Sequence, residues 1–501
     1  MLPPIPRPQD YGVSSERGFL PSESPLQCLP HQLYDRWERI MNNFQSLLLS
    51  KRLRTVIDNL PIIPAVHLET EAEWRRAYCI LTFFANGYIW GGEKPAERLP
   101  PSITYPLLQI CQHLELPPVP TYAGLCLWNF KPIFLSDTLV LDNLSALHTF
   151  TGSLDEQWFY LVSVAMEAKG GPSIQLMLDA MQAARDNDVE TVTKSLQAFA
   201  QTLDELGTLL LRMYESCDPH VFYHRIRPFL AGSKNMKDAG LPKGVFYDDG
   251  SRNATWRQYG GGSNAQSSMI QFFDIVLGVE HRPTGSKKDD TTSESEAEPG
   301  AAPKPRHSFI HEMRQYMPGP HRRFLQAVEG VSNIREFVEH HKSNRSLCVA
   351  YDACLAMLRS LRDKHIQMVS RYIIVKSRES RSMSRNRQES SPDSAPRRGQ
   401  GIASIAYDRP QEGSQRKKKM RGTGGTALIP FLKQARDETG EPAIDDWARK
   451  LLMGGRRTEA DHEIALESRI TAAELDAEEP QVVGLAGSWN MEDNGGGLCA
   501  Y

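Results

Sequence analysis

The stretch that most constrains this chain runs from Leu347 to Val375, LCVAYDACLAMLRSLRDKHIQMVSRYIIV, and holds neither proline nor glycine. Nothing local breaks a helix there. Leu347, Tyr351, Cys354, Leu358, Leu361, Met368 and Tyr372 recur at spacings of three and four, the period of a helix with one buried face. His365 belongs to the same series, so a long buried helix aims an imidazole inward. On pattern alone, such a histidine is more often a core residue bonded to a carbonyl than a metal ligand. Arg362 lies one turn earlier on the same side. It either caps the core against water or meets an anionic group of a cofactor.

The rest of the chain is helical in pattern. Gln32–Leu49 is amphipathic, Arg52–Leu60 adds a short helix, and Thr70–Trp90 is a third. Thr70 with Glu73 has the form of a capping box, and Gly91 and Gly92 end that helix. Ser102–Leu114 follows, with Pro106 tolerable only near its first turn. Trp128–Asp142 has loop character. Glu156–Ala168 is very apolar around Ser163, and Ser173–Arg185 and Asp188–Ser216 are amphipathic. Alternating strand patterns are scarce, so the chain reads as all-α. Two stretches, 282–306 and 377–421, lack the apolar residues that offset ordering entropy and read as disordered insertions. The expected organisation is a helical unit over 1–150, a larger one over 151–435, and a polar tail over 436–501 with a helix near Ile444–Met453.

A net charge of −3 over 501 residues points neither to nucleic acid nor to an anionic membrane surface. No apolar run approaches the roughly 18 residues of a spanning helix, and the N-terminal MLPPIPRPQDY is no secretory signal. None of the eight cysteines forms CxxC; they read as buried thiols in a reducing compartment, the cytoplasm by default.

The isolated motifs are weak. HEMRQ at 311–315 lacks the second histidine of a zinc protease, and the adjacent His340 and His341 cannot face one metal from a helix. GTGGT at 422–426 lacks the Lys-Ser/Thr ending of a P-loop and reads as a hinge or lid. GGGSNAQSS at 260–268 is a glycine-rich turn. Phe222, Tyr223 and Arg227 place a cation beside aromatic rings, which suits a small molecule with a ring and a carboxylate, or equally a core aromatic pair with a surface arginine. No catalytic carboxylate pair or nucleophile–base pair is evident, so chemistry would come from a cofactor.

Taken together, SFIHEMRQYMPGPHRRFL, GGSNAQSSMIQFFDIVLG, LRDKHIQMVSRYI and GTGGT resemble indoleamine 2,3-dioxygenase, the heme enzyme family that opens the indole ring of tryptophan. YIWGG (88–92), LELPPVPTYA (114–123) and FYLVS (159–163) extend the resemblance, which runs from about Pro8 to about Lys433 and leaves out the two insertions and the tail. Members with long insertions, of fungal type, are the nearer comparison. The resemblance implies a small helical N-terminal domain packed on a larger helical domain that binds heme b. It implies His365 as proximal iron ligand, Arg362 as partner of a heme propionate and Asp274 as the acid beside that arginine. It implies Phe222 as the aromatic on which substrate stacks, Arg227 as the cation for its carboxylate, and Tyr122, Phe159 and Ser163 as the inner pocket. Gly262 and Ser263 match the loop over the heme edge, Asn264 follows them next to the expected substrate ammonium, and Thr423 matches a loop that closes over ligand. Asn264 stands where alanine is familiar, Leu125 where cysteine is, and Tyr223 where a second phenylalanine is; Pro228 directly follows Arg227 and bends or starts a helix.

The implied reaction converts L-tryptophan and O2 to N-formylkynurenine, the first step of the kynurenine pathway, with an electron donor keeping the iron ferrous. No residue need act as acid or base, because the indole C2–C3 bond is electron-rich. A monomer is expected, with no nucleic-acid or membrane partner. Two other readings remain at this point: a heme protein that binds indole-like or gaseous ligands with little turnover, and a helical scaffold without heme.

Overall fold

The computed structural model describes residues 3–135, 138–252, 254–283, 309–379 and 428–453, and the short segments 482–484 and 487–489. Helices dominate. The first group is α1 (Asp35–Asn42), α2 (Phe44–Leu49), α3 (Leu53–Asp58), α4 (Glu71–Trp90) and α5 (Pro101–Leu114). Next come α6 (Leu154–Gly170), α7 (Pro172–Arg185), α8 (Val189–Leu211), α9 (Met213–Ser216) and α10 (Pro219–Val221). Then follow α11 (Ser268–Val276), α12 (Phe309–Arg314), α13 (Gly319–Glu329), α14 (Ile334–His340), α15 (Arg345–Val369), α16 (Leu428–Thr439) and α17 (Asp446–Met453). The described residues up to Ile366, with α16 and α17, belong to one compact unit. Gln367–Glu379 and the strands at Val482–Gly484 and Gly487–Trp489 belong to a second.

The expected elements are present, with instructive differences. The single helix over Gln32–Leu49 is broken at Asn43, whose side-chain amide donates to Arg39 O at 2.9 Å. That bond replaces the backbone bond a continuous helix would make there. At the start of α4 the Thr70 hydroxyl accepts from Glu73 N at 3.3 Å, while Glu73 accepts from Thr70 Oγ1 and Glu69 N. Beyond this cap α4 is apolar on nearly all sides and runs through the core, Ala77 to Ala85 being buried throughout. The loop expected after Trp128 contains β2 (Phe130–Pro132), which pairs antiparallel with β3 (Leu144–Ala146). A second small sheet has β1 (Arg98–Leu99) parallel to β4 (Val245–Tyr247), which is antiparallel to β5 (Thr255–Arg257). Strands this short carry no readable alternation. In α15, Leu347, Tyr351, Cys354, Leu358 and Leu361 are all buried, as their spacing requires.

Six of the seven described cysteines are buried free thiols, and Cys28 is exposed instead. No helix among the described residues is long and apolar enough to cross a membrane. Most of the stretches 282–306 and 377–421, all of GTGGT with Thr423, and the tail beyond Met453 apart from two strands lie outside the described residues.

Glu38 of α1 and Arg76 of α4 form a buried ion pair, with Nη2 2.6 Å from Oε2 and Nε 3.0 Å from Oε1. Glu38 also accepts from Leu29 N at 2.9 Å, and Arg76 Nη1 meets His148 Nε2. Burial, and then the Arg76 charge, hold His148 well below its ordinary value, so it is neutral and accepts from the guanidinium. Removing one partner of such a pair leaves an uncompensated buried charge. Glu38→Ala is therefore expected to lower stability by about 3–5 kcal/mol, read as a lower urea midpoint at unchanged slope.

Candidate functional site

A cavity opens between α6, α8, α11, α12, α15 and α16. Its wall brings together Tyr122, Ser163, Asn264, Asp274, Arg362 and His365, residues drawn from five separate parts of the sequence. Between these polar groups the lining is apolar, with Leu210, Met269, Ile270, Leu358, Leu361 and Phe431 prominent.

His365 is held by a helix whose neighbouring turns are packed, so its imidazole has a fixed approach to the cavity. Burial, and then the nearby Arg362 charge, lower its pKa to about 4. At neutral pH the ring is therefore uncharged and keeps a lone pair, the state in which imidazole ligates iron. Arg362 is tied at the cavity edge. Its Nη2 lies 2.7 Å from both oxygens of Asp274, and its Nη1 bonds Thr439 Oγ1. Burial opposes charge on Asp274, yet Arg362 and His281 outweigh it and hold the carboxyl below its ordinary value. His281 Nε2 is 3.1 Å from Asp274 Oδ2, and its Nδ1 is 2.7 Å from Glu438 Oε2. With a carboxylate at each ring nitrogen, the surroundings favour the imidazolium, which can donate to both. Burial works against that charge, but Asp274 and Glu438 raise the pKa above its usual value. A neutral imidazole, apolar walls and a braced arginine at one edge fit a planar iron porphyrin with anionic propionates.

The aromatic and basic segment takes a non-standard course. Asp218 caps α10, accepting from His220 N and Val221 N at 2.8 and 3.0 Å. Phe222–Ile226 then form a π-helical turn, and Arg227–Leu230 a 3-10 turn. Pro228 falls at the second position of that turn, where its missing N–H costs nothing. The rings of Phe222 and Phe159 lie 4.9 Å apart, and the Arg227 guanidinium carbon is 5.4 Å from the centre of the Tyr223 ring. Phe159 sits one turn before Ser163 on α6. Phe159, Phe222, Arg227, Gly262 and Ser263 are not part of the cavity wall; of the described residues expected on the substrate side, only Tyr122, Ser163 and Asn264 are.

The GGGSNAQSS segment is fixed by close approach. A Cβ at Gly262 would lie 2.5 Å from Leu125 Cδ1, so no side chain fits there while leucine fills position 125. Ser263 Oγ accepts from Ala265 N at 3.3 Å and starts the turn Asn264–Gln266. Gln266 accepts from Tyr122 N and donates to Gly261 O, both at 2.9 Å. Asn264 is exposed although it borders the cavity.

Several residues of this site escaped the sequence reading. His281 stands at the edge of a low-complexity stretch, and Glu438 and Thr439 fall in what reads as tail. Yet α16 continues past Ala435 and buries Arg436, Glu438 and Thr439. Glu167 of α6, which accepts from the Tyr122 and Ser267 hydroxyls behind the wall, is hidden by the apolar run around it. Its spacing of four from Ser163, a polar seam on an apolar helix, was the available signal.

The sequence profile described as Indoleamine 2,3-dioxygenase matches residues 7–442. An indoleamine 2,3-dioxygenase of Saccharomyces cerevisiae is 40% identical over 446 residues, covering 87% of this chain and 93% of its own length. One from Aspergillus candidus is 38% identical over 437 residues, covering 86% and 96%. A 6-hydroxytryptophan 2,3-dioxygenase of Fusarium equiseti is 36% identical over 433 residues, covering 86% and 97%. The profile match ends beyond Thr439, so it takes in the braced arginine as well as the histidine helix. A likeness that extends over nearly the full length of these relatives is one of the whole fold: the chain belongs to the indoleamine 2,3-dioxygenase family of heme-dependent dioxygenases.

Proposed function

We propose that the protein cleaves the indole ring of L-tryptophan with dioxygen, yielding N-formylkynurenine, the first step of the kynurenine pathway. The observation that carries this reading is the neutral His365 facing a largely apolar cavity with Arg362 braced at its edge. His365 would hold the iron of heme b, and Arg362, oriented by Asp274 and Thr439, would pair with a propionate. Bound heme supplies the activation of dioxygen. The chain's own residues bind, orient and exclude water. Phe222 and Phe159 offer adjoining rings for the indole, and Arg227 offers a cation for the carboxylate. Tyr122 and Ser163 line the inner wall, with Gly262, Ser263 and Asn264 in the loop beside it. Phe431 and Leu432 of α16 close the cavity on another side, and a dry site protects reactive oxygen species from side reactions. Thr423 is proposed to close over ligand. The smaller domain is proposed to end near residue 150, and the protein to act as a monomer in the cytoplasm with an external electron donor.

Reduced, heme-loaded protein given L-tryptophan and air is expected to form N-formylkynurenine. The Fusarium equiseti relative favours one second reading, a ring-hydroxylated tryptophan as the substrate. Faster turnover of 6-hydroxytryptophan than of tryptophan would select it.

A further inference from the structure

Behind the cavity wall lies one acid that the proposed reaction does not use. Glu167 of α6 is 1% exposed, and no ion pair among the described residues balances it. Its Oε1 accepts from the Tyr122 hydroxyl at 2.9 Å and from Ser267 Oγ at 2.8 Å. Its Oε2 is enclosed and has no hydrogen-bond partner among the described residues. Tyr122 and Ser267 both line the cavity, and they come from different elements. Tyr122 precedes the π-helical turn Ala123–Leu127, and Ser267 caps α11 at the end of the GGGSNAQSS segment. Glu167 is thus the point on α6 to which both are fastened.

Building on the reading of this cavity as an indole site, we propose that Glu167 is a positioning residue of the reaction. It fastens Tyr122 and Ser267 at the wall, and its proton sets the direction in which the Tyr122 hydroxyl donates. Oε2 has no partner among the described residues in either state, but an ionised carboxylate here would also bury a charge that no ion pair among them balances, which costs more than a buried neutral acid. Burial pushes the carboxyl up to about 7, against the pull of the Ser267 and Tyr122 hydroxyls. The other titratable groups facing it are Tyr122 and Cys126, both pushed up by burial and by Glu167 itself, so they stay protonated. When neutral, Glu167 keeps its proton on Oε1, where it donates to Tyr122 Oη, and the tyrosine hydrogen is released into the cavity, where a carboxylate oxygen of tryptophan accepts it beside the Arg227 contact. When Glu167 loses that proton to solvent, both hydroxyls donate to Oε1 and the tyrosine hydrogen is withdrawn.

The test uses the heme-loaded full chain and two readouts. Infrared difference spectra are expected to show a protonated carboxylic C=O band at pH 6 that fades at pH 8 and is missing in Glu167→Gln at both. The tryptophan Kd, from the Soret shift, is expected to be tighter on the acid side of this transition by about three- to tenfold, the worth of one hydrogen bond. That step should vanish in Glu167→Gln. Ser267→Ala removes a bond that favours the ionised form, so it should move the midpoint upward; this variant carries the test if Glu167→Gln does not fold. Absence of a titrating band, or an unchanged affinity step in Glu167→Gln, overturns the proposal. A protein that shows the band yet ignores tryptophan overturns the tryptophan reading, and the coupling with it, while the proton on Glu167 stands.

Discussion

His365→Ala is expected to purify without a Soret band and to have no dioxygenase activity, even when heme is supplied throughout expression. α15 presents the imidazole from a packed frame. Leu358 and Leu361, in the turns before it, are buried, so α15 holds its place whatever stands at 365. Alanine has the highest helix propensity, and the substitution leaves the helix intact while removing the lone pair. Groups that only orient a metal ligand are worth about 10–100-fold in metal affinity, and loss of the ligand itself should exceed that. The variant should keep the wild-type helical circular dichroism. Added imidazole should restore part of the Soret band, because it can occupy the space the side chain leaves. A full Soret band in His365→Ala without added imidazole would show that another residue holds the iron. It would return His365 to the commoner role of a buried core histidine.

The second large effect is expected on the substrate side. Arg227→Ala should leave heme content unchanged and raise the tryptophan KM. Removing one member of a buried charged pair costs about 2–5 kcal/mol, on the order of thirtyfold to several thousandfold. Arg227→Lys should recover only part of this, because a point charge replaces a planar fork. Indole derivatives without a carboxylate should bind the wild type and Arg227→Ala alike, which separates loss of the clamp from collapse of the pocket. Unchanged tryptophan kinetics in Arg227→Ala would assign carboxylate binding elsewhere. The geometry gives that outcome meaning, since Arg227 lies beside Tyr223 and outside the cavity wall.

The helical elements were legible because burial leaves a period in the sequence. The series from Leu347 to Leu361 names the buried face of α15, and continuing it reaches His365. Thr70 and Glu73 likewise announce the start of α4. Long-range pairing leaves no such trace. The bond between Arg362 and Asp274 joins residues 88 apart, and that between His281 and Glu438 joins residues 157 apart. Nothing local in either segment shows that they meet. The π-helical turns at Ala123–Leu127 and Phe222–Ile226 were also invisible, since one inserted residue shifts the period without a distinctive composition. Both occur beside candidate substrate residues, Tyr122 in one case and Phe222 with Arg227 in the other. The break at Asn43 shows the reverse limit. Apolar spacing runs across it unchanged, and a single side-chain bond to Arg39 O decides the matter.

The central claim is that this cavity opens an indole ring with both atoms of dioxygen. The most direct measurement is the mass of the product formed by reduced, heme-loaded protein from L-tryptophan under oxygen-18 gas. N-formylkynurenine carrying two labelled oxygens is the predicted result. A Soret shift on adding tryptophan with no labelled product would contradict it and identify a heme protein that binds indoles without turning them over.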